Sequence, residues 1–265
     1  MRTKLLLILI AANSIFINAQ MDEKFYFPSK VLQPIEWNNV EQLKFPVEND
    51  TVSAIILKPN LKAKATIFYF HGAGGNVTTY APLLTSLLND QFQIVLIDFR
   101  GYGKSTGKPL HTNIAEDGEK IFKVLIKRDD IKNKKIILYG ASIGTQIATH
   151  LAKNHQSEIS GLVLEGGMFS FGHIAAVYAP QVKDYLENSF VTPYSAKEDI
   201  KEITKIPKLI IHSKEDKDVP FAQGMMLFDA ASEPKQFIEF SGEHLYALKY
   251  ESREILESLN KMIAN

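Results

Sequence analysis

Short, almost uninterrupted apolar runs alternate along the chain with longer stretches in which apolar residues return every three or four positions. The compact runs are Ala65 to Phe70, Gln93 to Asp98, Lys135 to Tyr139, Gly161 to Glu165, Lys208 to His212 and Lys235 to Phe240. Cores such as Ile94-Val95-Leu96-Ile97 and Ile136-Ile137-Leu138 lack the in–out alternation of a half-exposed strand. They fit strands buried on both faces, as in a parallel sheet covered by helices. Val40 to Val47 and Thr51 to Leu57, separated by Glu48, Asn49 and Asp50, read as a hairpin. Helical periodicity covers Val77 to Asn89, Thr112 to Lys127, Ile143 to Asn154, Phe221 to Ala231 and Leu245 to Met262. In the last, only Ser252 interrupts the stripe Leu245, Leu248, Ile255, Leu259, Met262. Strand–helix alternation predicts an α/β fold, a mostly parallel eight-stranded sheet flanked by helices. Residues 169–204 fall outside this rhythm between two core strands and are expected to form a small insertion, a short lid over the sheet.

The first nineteen residues have a separate pattern. Arg2 and Lys4 precede the apolar run Leu5 to Ala12, which continues loosely to Ile17 and ends at the small residue Ala19. This is the pattern of a secretory signal peptide. The run is too short and too interrupted, at Asn13 and Ser14, for a spanning helix of about 20 residues. A chain cleaved near Ala19, exported to a periplasm or medium and carrying one domain over residues 20–265, is the expectation, with no membrane span left afterwards. The chain has 30 basic and 30 acidic residues, and loss of Arg2 and Lys4 leaves a slight negative excess. Such a balance gives no long-range field for nucleic acid. There is no cysteine, which excludes disulfides, thiolate metal sites, cysteine nucleophiles and a lipidated cysteine anchor.

Candidate chemistry sits where strands end. The run Lys135 to Tyr139 leads into Gly140-Ala141-Ser142-Ile143-Gly144, and a helical stretch follows. G-x-S-x-G between strand and helix is a nucleophile elbow: the turn is sharp enough to strain the serine, and the flanking glycines avoid collisions. Ser142 would also lie at a helix start, where free N–H groups favour a developing anion. Upstream, Ala65 to Phe70 runs into His71-Gly72-Ala73-Gly74-Gly75-Asn76. A glycine-rich loop there supplies half an oxyanion hole, the Ala73 N–H with that of Ile143. A dinucleotide fingerprint would need glycine at Val77, and a phosphate loop ending at Gly103-Lys104-Ser105 would need glycine at Asp98. Both readings fail. His71 is then a loop-ordering residue, and residues 98–105 are structural.

In an elbow fold the acid and base follow the serine in that order. His150 and His155 belong to the helix behind Ser142, His173 to the insertion, and His212 to a strand end. His244, in Phe240-Ser241-Gly242-Glu243-His244, lies just past the last strand on the elbow's edge and is the expected base. For the acid, Asp216, Glu215, Asp218 and Glu165 all remain possible from position alone.

Together these segments resemble the α/β-hydrolase superfamily, and within it the small-lid group of ABHD13-like, ABHD17-like and Bem46-like proteins. The resemblance rests on His71-Gly72 with Gly75-Asn76, Arg100-Gly101-Tyr102-Gly103-Lys104-Ser105, the elbow, Asp216-Lys217-Asp218-Val219-Pro220 and Gly242-Glu243-His244. It spans nearly all of the chain after the leader. The family's D-x-x-[VI]-P pattern implies Asp216 as the triad acid, and the resemblance likewise implies His244 as base. It implies a serine hydrolase acting on a carboxylic ester or thioester through an acyl-enzyme on Ser142, with no metal or organic cofactor. An exopeptidase of the same fold and a non-catalytic binding protein that kept the fold are the alternatives. Relatives often have a longer lid and several are cytosolic or membrane-bound, so substrate does not transfer. The insertion holds Phe169, Phe171, Tyr178, Tyr185, Phe190 and Tyr194. Either they form the lid's own core, or some, with Phe169, Phe171 and Tyr178 foremost, line an apolar pocket for a small-molecule acyl substrate.

Overall fold

The computed structural model describes residues 22–264, so the proposed signal peptide lies outside the described residues. Eight strands form one sheet: β2 (Val40–Val47), β3 (Asp50–Leu57), β4 (Ala65–Phe70), β6 (Phe92–Ile97), β7 (Lys135–Ala141), β8 (Gly161–Glu165), β9 (Lys208–Ser213) and β10 (Lys235–Phe240). Their order is β10-β9-β8-β7-β4-β6-β3-β2. The β2–β3 and β3–β6 pairs are antiparallel, and every other neighbour is parallel. Strands β4, β6, β8 and β9 are buried at every position, which is why their sequences show no alternation.

Side chains alternate between two apolar layers. On one face Phe68, Val95 and Leu138 meet Ile121 and Phe122 of α3 (His111–Leu125) and Ile147 and Leu151 of α4 (Gly144–Asn154). On the other, Ile67, Leu96 and Ile137 meet Leu87 and Leu88 of α2 (Thr85–Asn89) and Ile255 and Leu259 of α10 (Ser252–Ala264). Residues of the central strands are thus covered whichever way they point, whereas the edge strand β2 keeps alternate positions exposed.

Two expected helices are broken. The stretch 77–89 divides into α1 (Val77–Tyr80), a 3₁₀ turn (Ala81–Leu84) and α2, because Pro82 lacks the N–H that would continue the ladder. The stretch 245–262 divides into α9 (Ala247–Tyr250) and α10, separated by Glu251 at φ −121°, ψ 29°. The break falls beside Ser252, the one polar position in the stripe. Residues 169–204 leave β8 as α5 (Phe171–Tyr178), a 3₁₀ turn, α6 (Lys183–Asn188), α7 (Ala196–Asp199) and a second 3₁₀ turn before β9; α8 (Phe221–Ala230) follows β9. A two-residue parallel pairing was not anticipated: β1 (Phe27–Pro28) lies against β5 (Gly74–Gly75). No helix among the described residues is long and apolar enough to cross a membrane.

Candidate active site

Ser142 stands between the last residue of β7 and the start of α4, at φ 53°. That left-handed backbone is costly for a residue with a Cβ. Three contacts hold it: the Ser142 N–H donates to the Glu165 carbonyl at 2.9 Å, and the Ser142 carbonyl accepts from the Thr145 N–H at 3.0 Å and the Thr145 hydroxyl at 2.5 Å. The flanking glycines are enforced by space. A Cβ on Gly144 would fall 2.0 Å from the Phe70 carbonyl oxygen, and one on Gly140 would fall 2.6 Å from the Gly144 oxygen.

The loop after β10 brings His244 to the same edge, and the loop after β9 brings Asp216. His244 Nδ1 and Asp216 Oδ2 are 2.6 Å apart, with the carboxylate side chain only 1 % exposed. The other carboxylate oxygen accepts the N–H groups of Asp218 at 2.9 Å and Val219 at 2.8 Å. Burial pushes the Asp216 pKa up, but the hydrogen bond and charge of His244 and the Val219 N–H outweigh it, holding the acid below the usual carboxylate range. His212 lies behind this loop, its Nε2 2.9 Å from the Val219 carbonyl; burial lowers its pKa, so a neutral ring braces the loop.

The rival acids do other things. Glu165 is fully enclosed, accepting from the Tyr139 hydroxyl at 2.6 Å and the Ala247 N–H at 2.9 Å. It ties the chain beyond His244 to β7 and β8. Glu215 and Asp218 are exposed. Asp218 shares the neighbourhood: ligand-type atoms of Asp216, Asp218 and His244 lie within 4.8 Å of one another. Both oxygens of Asp216 and Nδ1 of His244 are already engaged, so the trio fits an acid–base pair better than a cation cage.

Ala73 and Ile143 line one cavity with Ser142 and His244. The Ala73 N–H belongs to the peptide whose oxygen, on Gly72, lies 2.7 Å from His71 Nδ1. The Phe99 N–H donates to His71 Nε2 at 3.3 Å, which fixes the tautomer with its proton on Nδ1, facing Gly72. His71 is therefore the loop-ordering residue expected, and burial lowers its pKa to about 4. The Ala73 carbonyl in turn accepts from the Tyr102 hydroxyl at 2.5 Å and the Phe27 N–H at 2.9 Å.

The cavity has a volume of about 1230 Å³. Of the six aromatics in the insertion, Tyr178, Tyr185 and Phe190 stand on its wall. The expectation that Phe169 and Phe171 line it is corrected: both are buried one layer behind, Phe169 edge-on to His173 and Phe171 edge-on to Phe25. Tyr178 does line it, with its hydroxyl donating to the Asp218 carbonyl at 2.9 Å.

Sequence reasoning missed two contributors. Gly166, at φ 55°, lies so close under the imidazole that a Cβ there would fall 2.6 Å from His244 Cε1. Lys24, Phe25 and Phe27, from the segment before the first long strand, also form part of the wall.

A family profile described as "alpha/beta hydrolase fold" matches residues 65–190. Protein YfhR of Escherichia coli is 30% identical over 231 residues, covering 84% of this chain and 80% of that one. Protein bem46 of Schizosaccharomyces pombe is 30% identical over 183 residues, covering 68% of this chain and 60% of that one. In three dimensions the chain is similar to the Pyrococcus furiosus esterase Pf2001, with a TM-score of 0.69 at 18% identity over 91% of this chain and 97% of the other. The elbow, the sheet order and these likenesses agree, and the chain belongs to the α/β-hydrolase family.

Proposed function

We propose that the protein is a serine hydrolase that cleaves a carboxylic ester or thioester through an acyl-enzyme on Ser142. The observation that carries this reading is the His244–Asp216 pair at 2.6 Å, opening onto the cavity that also holds Ser142. His244 Nε2 takes the Ser142 proton as Oγ attacks the acyl carbonyl, while Asp216 holds the Nδ1 proton and so keeps Nε2 basic. The Ala73 and Ile143 N–H groups receive the oxyanion; each such donor contributes about 10²–10³ in rate in related chemistry. The proton passes from His244 to the leaving alkoxide or thiolate. Water, deprotonated by the same imidazole, then releases the acid and restores Ser142. Every step uses side chains and backbone N–H groups of this chain.

The esterase name of the structural neighbour and the apolar wall favour an ester over a peptide substrate. Steady-state assays on p-nitrophenyl esters and on aminoacyl-nitroanilides test this directly: turnover of the esters is expected, and turnover of the anilides alone would move the reading to an exopeptidase. Export after cleavage near Ala19 is part of the same proposal, supported by the charged start, the apolar run and the small residue that ends it.

A further inference from the structure

The cavity is larger than a short acyl group needs. Ligand pockets run at roughly 300–1,000 Å³, and this one has about 1230 Å³. Its far wall has two sources. One is the insertion, through Ile174, Tyr178, Tyr185 and Phe190. The other is an N-terminal arm, residues 22–31, whose Phe25 and Phe27 line the same cavity as the lid residues.

The arm is a built element. Asp22 accepts the His111 N–H at 2.9 Å, and the buried Tyr26 hydroxyl lies 2.7 Å from His111 Nδ1. The β1–β5 pairing holds Phe27 beside Gly74, and the Asn76 side chain donates to the Ser29 carbonyl at 3.0 Å and the Val31 carbonyl at 2.8 Å. Phe25 meets Phe171 edge-on at 5.3 Å and stacks on Phe190 at 6.5 Å, joining arm to insertion. In contrast to these anchors, Phe27 is 63% exposed and Tyr178 and Tyr185 are 69% and 61% exposed. Large apolar rings held out on a fixed frame around one cavity are unfilled contact area for an apolar ligand.

We propose that Phe25 and Phe27 of the N-terminal arm are specificity-determining residues, forming with the insertion the site for the long hydrocarbon chain of a lipid-like ester. The proposal rests on the serine-hydrolase reading for its chemistry. The same frame adds a positioning role, because the Phe27 N–H and the Tyr102 hydroxyl both fix the Ala73 carbonyl beside the oxyanion donor. A substitution of the Phe27 side chain leaves that backbone contact in place, so the two roles separate.

The test compares the wild type, Phe27→Ala and Leu61→Ala, the last an exposed apolar residue outside the cavity. The substrates are p-nitrophenyl acetate, octanoate and dodecanoate, with acetate esters of long alcohols to show which side of the ester carries the chain. In the wild type, kcat/KM rises with chain length in one series, by up to about four-fold per methylene buried. Phe27→Ala leaves the acetate within about two-fold and lowers the long-chain ester by about ten-fold, mostly through KM, the loss expected from about three methylene-sized contacts half removed. Leu61→Ala changes neither. An unchanged chain-length profile in Phe27→Ala overturns the inference, as does an equal loss on every ester. Binding of a dansylated undecanoic acid to Ser142→Ala reads the chain site without catalysis. A Kd raised about ten-fold by Phe27→Ala supports the site even if Ser142 proves not to be the nucleophile, and an unaltered Kd overturns it.

Discussion

Ser142 occupies a backbone region that costs about 1–2 kcal/mol for a residue with a Cβ, and three hydrogen bonds from and to Glu165 and Thr145 keep it there. Glu48, Gln91, Asn133 and Leu245 share that region, so the strain at Ser142 bears on function only together with the Asp216–His244 pair beside the same cavity. The acid beside it is testable by the difference between two neighbours. Asp216→Asn is expected to lower kcat by about 10⁴, because an amide no longer holds the Nδ1 proton of His244. Asp218→Asn should stay within a few-fold, since its carboxylate accepts nothing from the imidazole. Steady-state kinetics of both decide it, and the reverse order would put the acid on Asp218. His71 offers a pH test. Its pKa of about 4 in the folded chain lies below the ordinary 6.5, so the unfolded chain takes up the proton first. Its contribution to stability is therefore complete above pH 6.5 and is lost as the pH falls toward 4. His71→Asn can keep a donor toward the Gly72 carbonyl but does not titrate. Between pH 7 and 4.5, urea melts should show the wild type losing about 2–3 kcal/mol more than His71→Asn. Equal losses would mean that His71 is not held neutral by burial.

At the level of elements, the elbow is a steric device as much as a sequence motif. Gly144→Ala places a methyl inside contact distance of the Phe70 backbone oxygen, which cannot move without pulling β4 out of register. A loss of more than about 3 kcal/mol is expected, seen as insoluble or unfolded protein. Gly74→Ala meets nothing within 4 Å and should change stability by less than about 0.5 kcal/mol. Melting curves with similar midpoints for the two would contradict the account. Sheet and elbow were legible because each depends on neighbours in sequence: buried strands read as apolar runs, and the glycines flank the serine they serve. Asp216 was not separable from Asp218 by position, since the choice depends on which carboxylate meets an imidazole from another loop; family resemblance supplied it. Phe169 and Phe171 were misassigned for a different reason. Phe171 opens helix α5, which is apolar on nearly every side, so no stripe shows that it meets Phe25 rather than the cavity; Phe169 precedes the helix, where no periodicity applies, and meets His173. The kink at Pro82 was readable in principle, because proline is the residue that cannot continue a ladder.

For the whole molecule, the cavity is assembled from segments far apart in the chain: the arm, the loop after β4, the elbow, the insertion and the loops after β9 and β10. Nothing local in Phe25 or Phe27 announces their place on the wall, since it follows from pairing with Gly74 and from packing on the insertion. The proposed leader ends just before this arm. Intact-mass analysis of exported protein should find the N-terminus near Gln20; an intact Met1 on exported material would contradict cleavage. The central claim is that Ser142 is an activated nucleophile. Peptide mass spectrometry after treatment with a fluorophosphonate tests it most directly, because only a serine deprotonated by a neighbouring base reacts readily. The phosphonyl adduct is predicted on the peptide containing Ser142, and it is predicted to vanish in folded His244→Ala. A folded wild-type protein that carries no adduct on Ser142, or carries it equally without His244, would contradict the account.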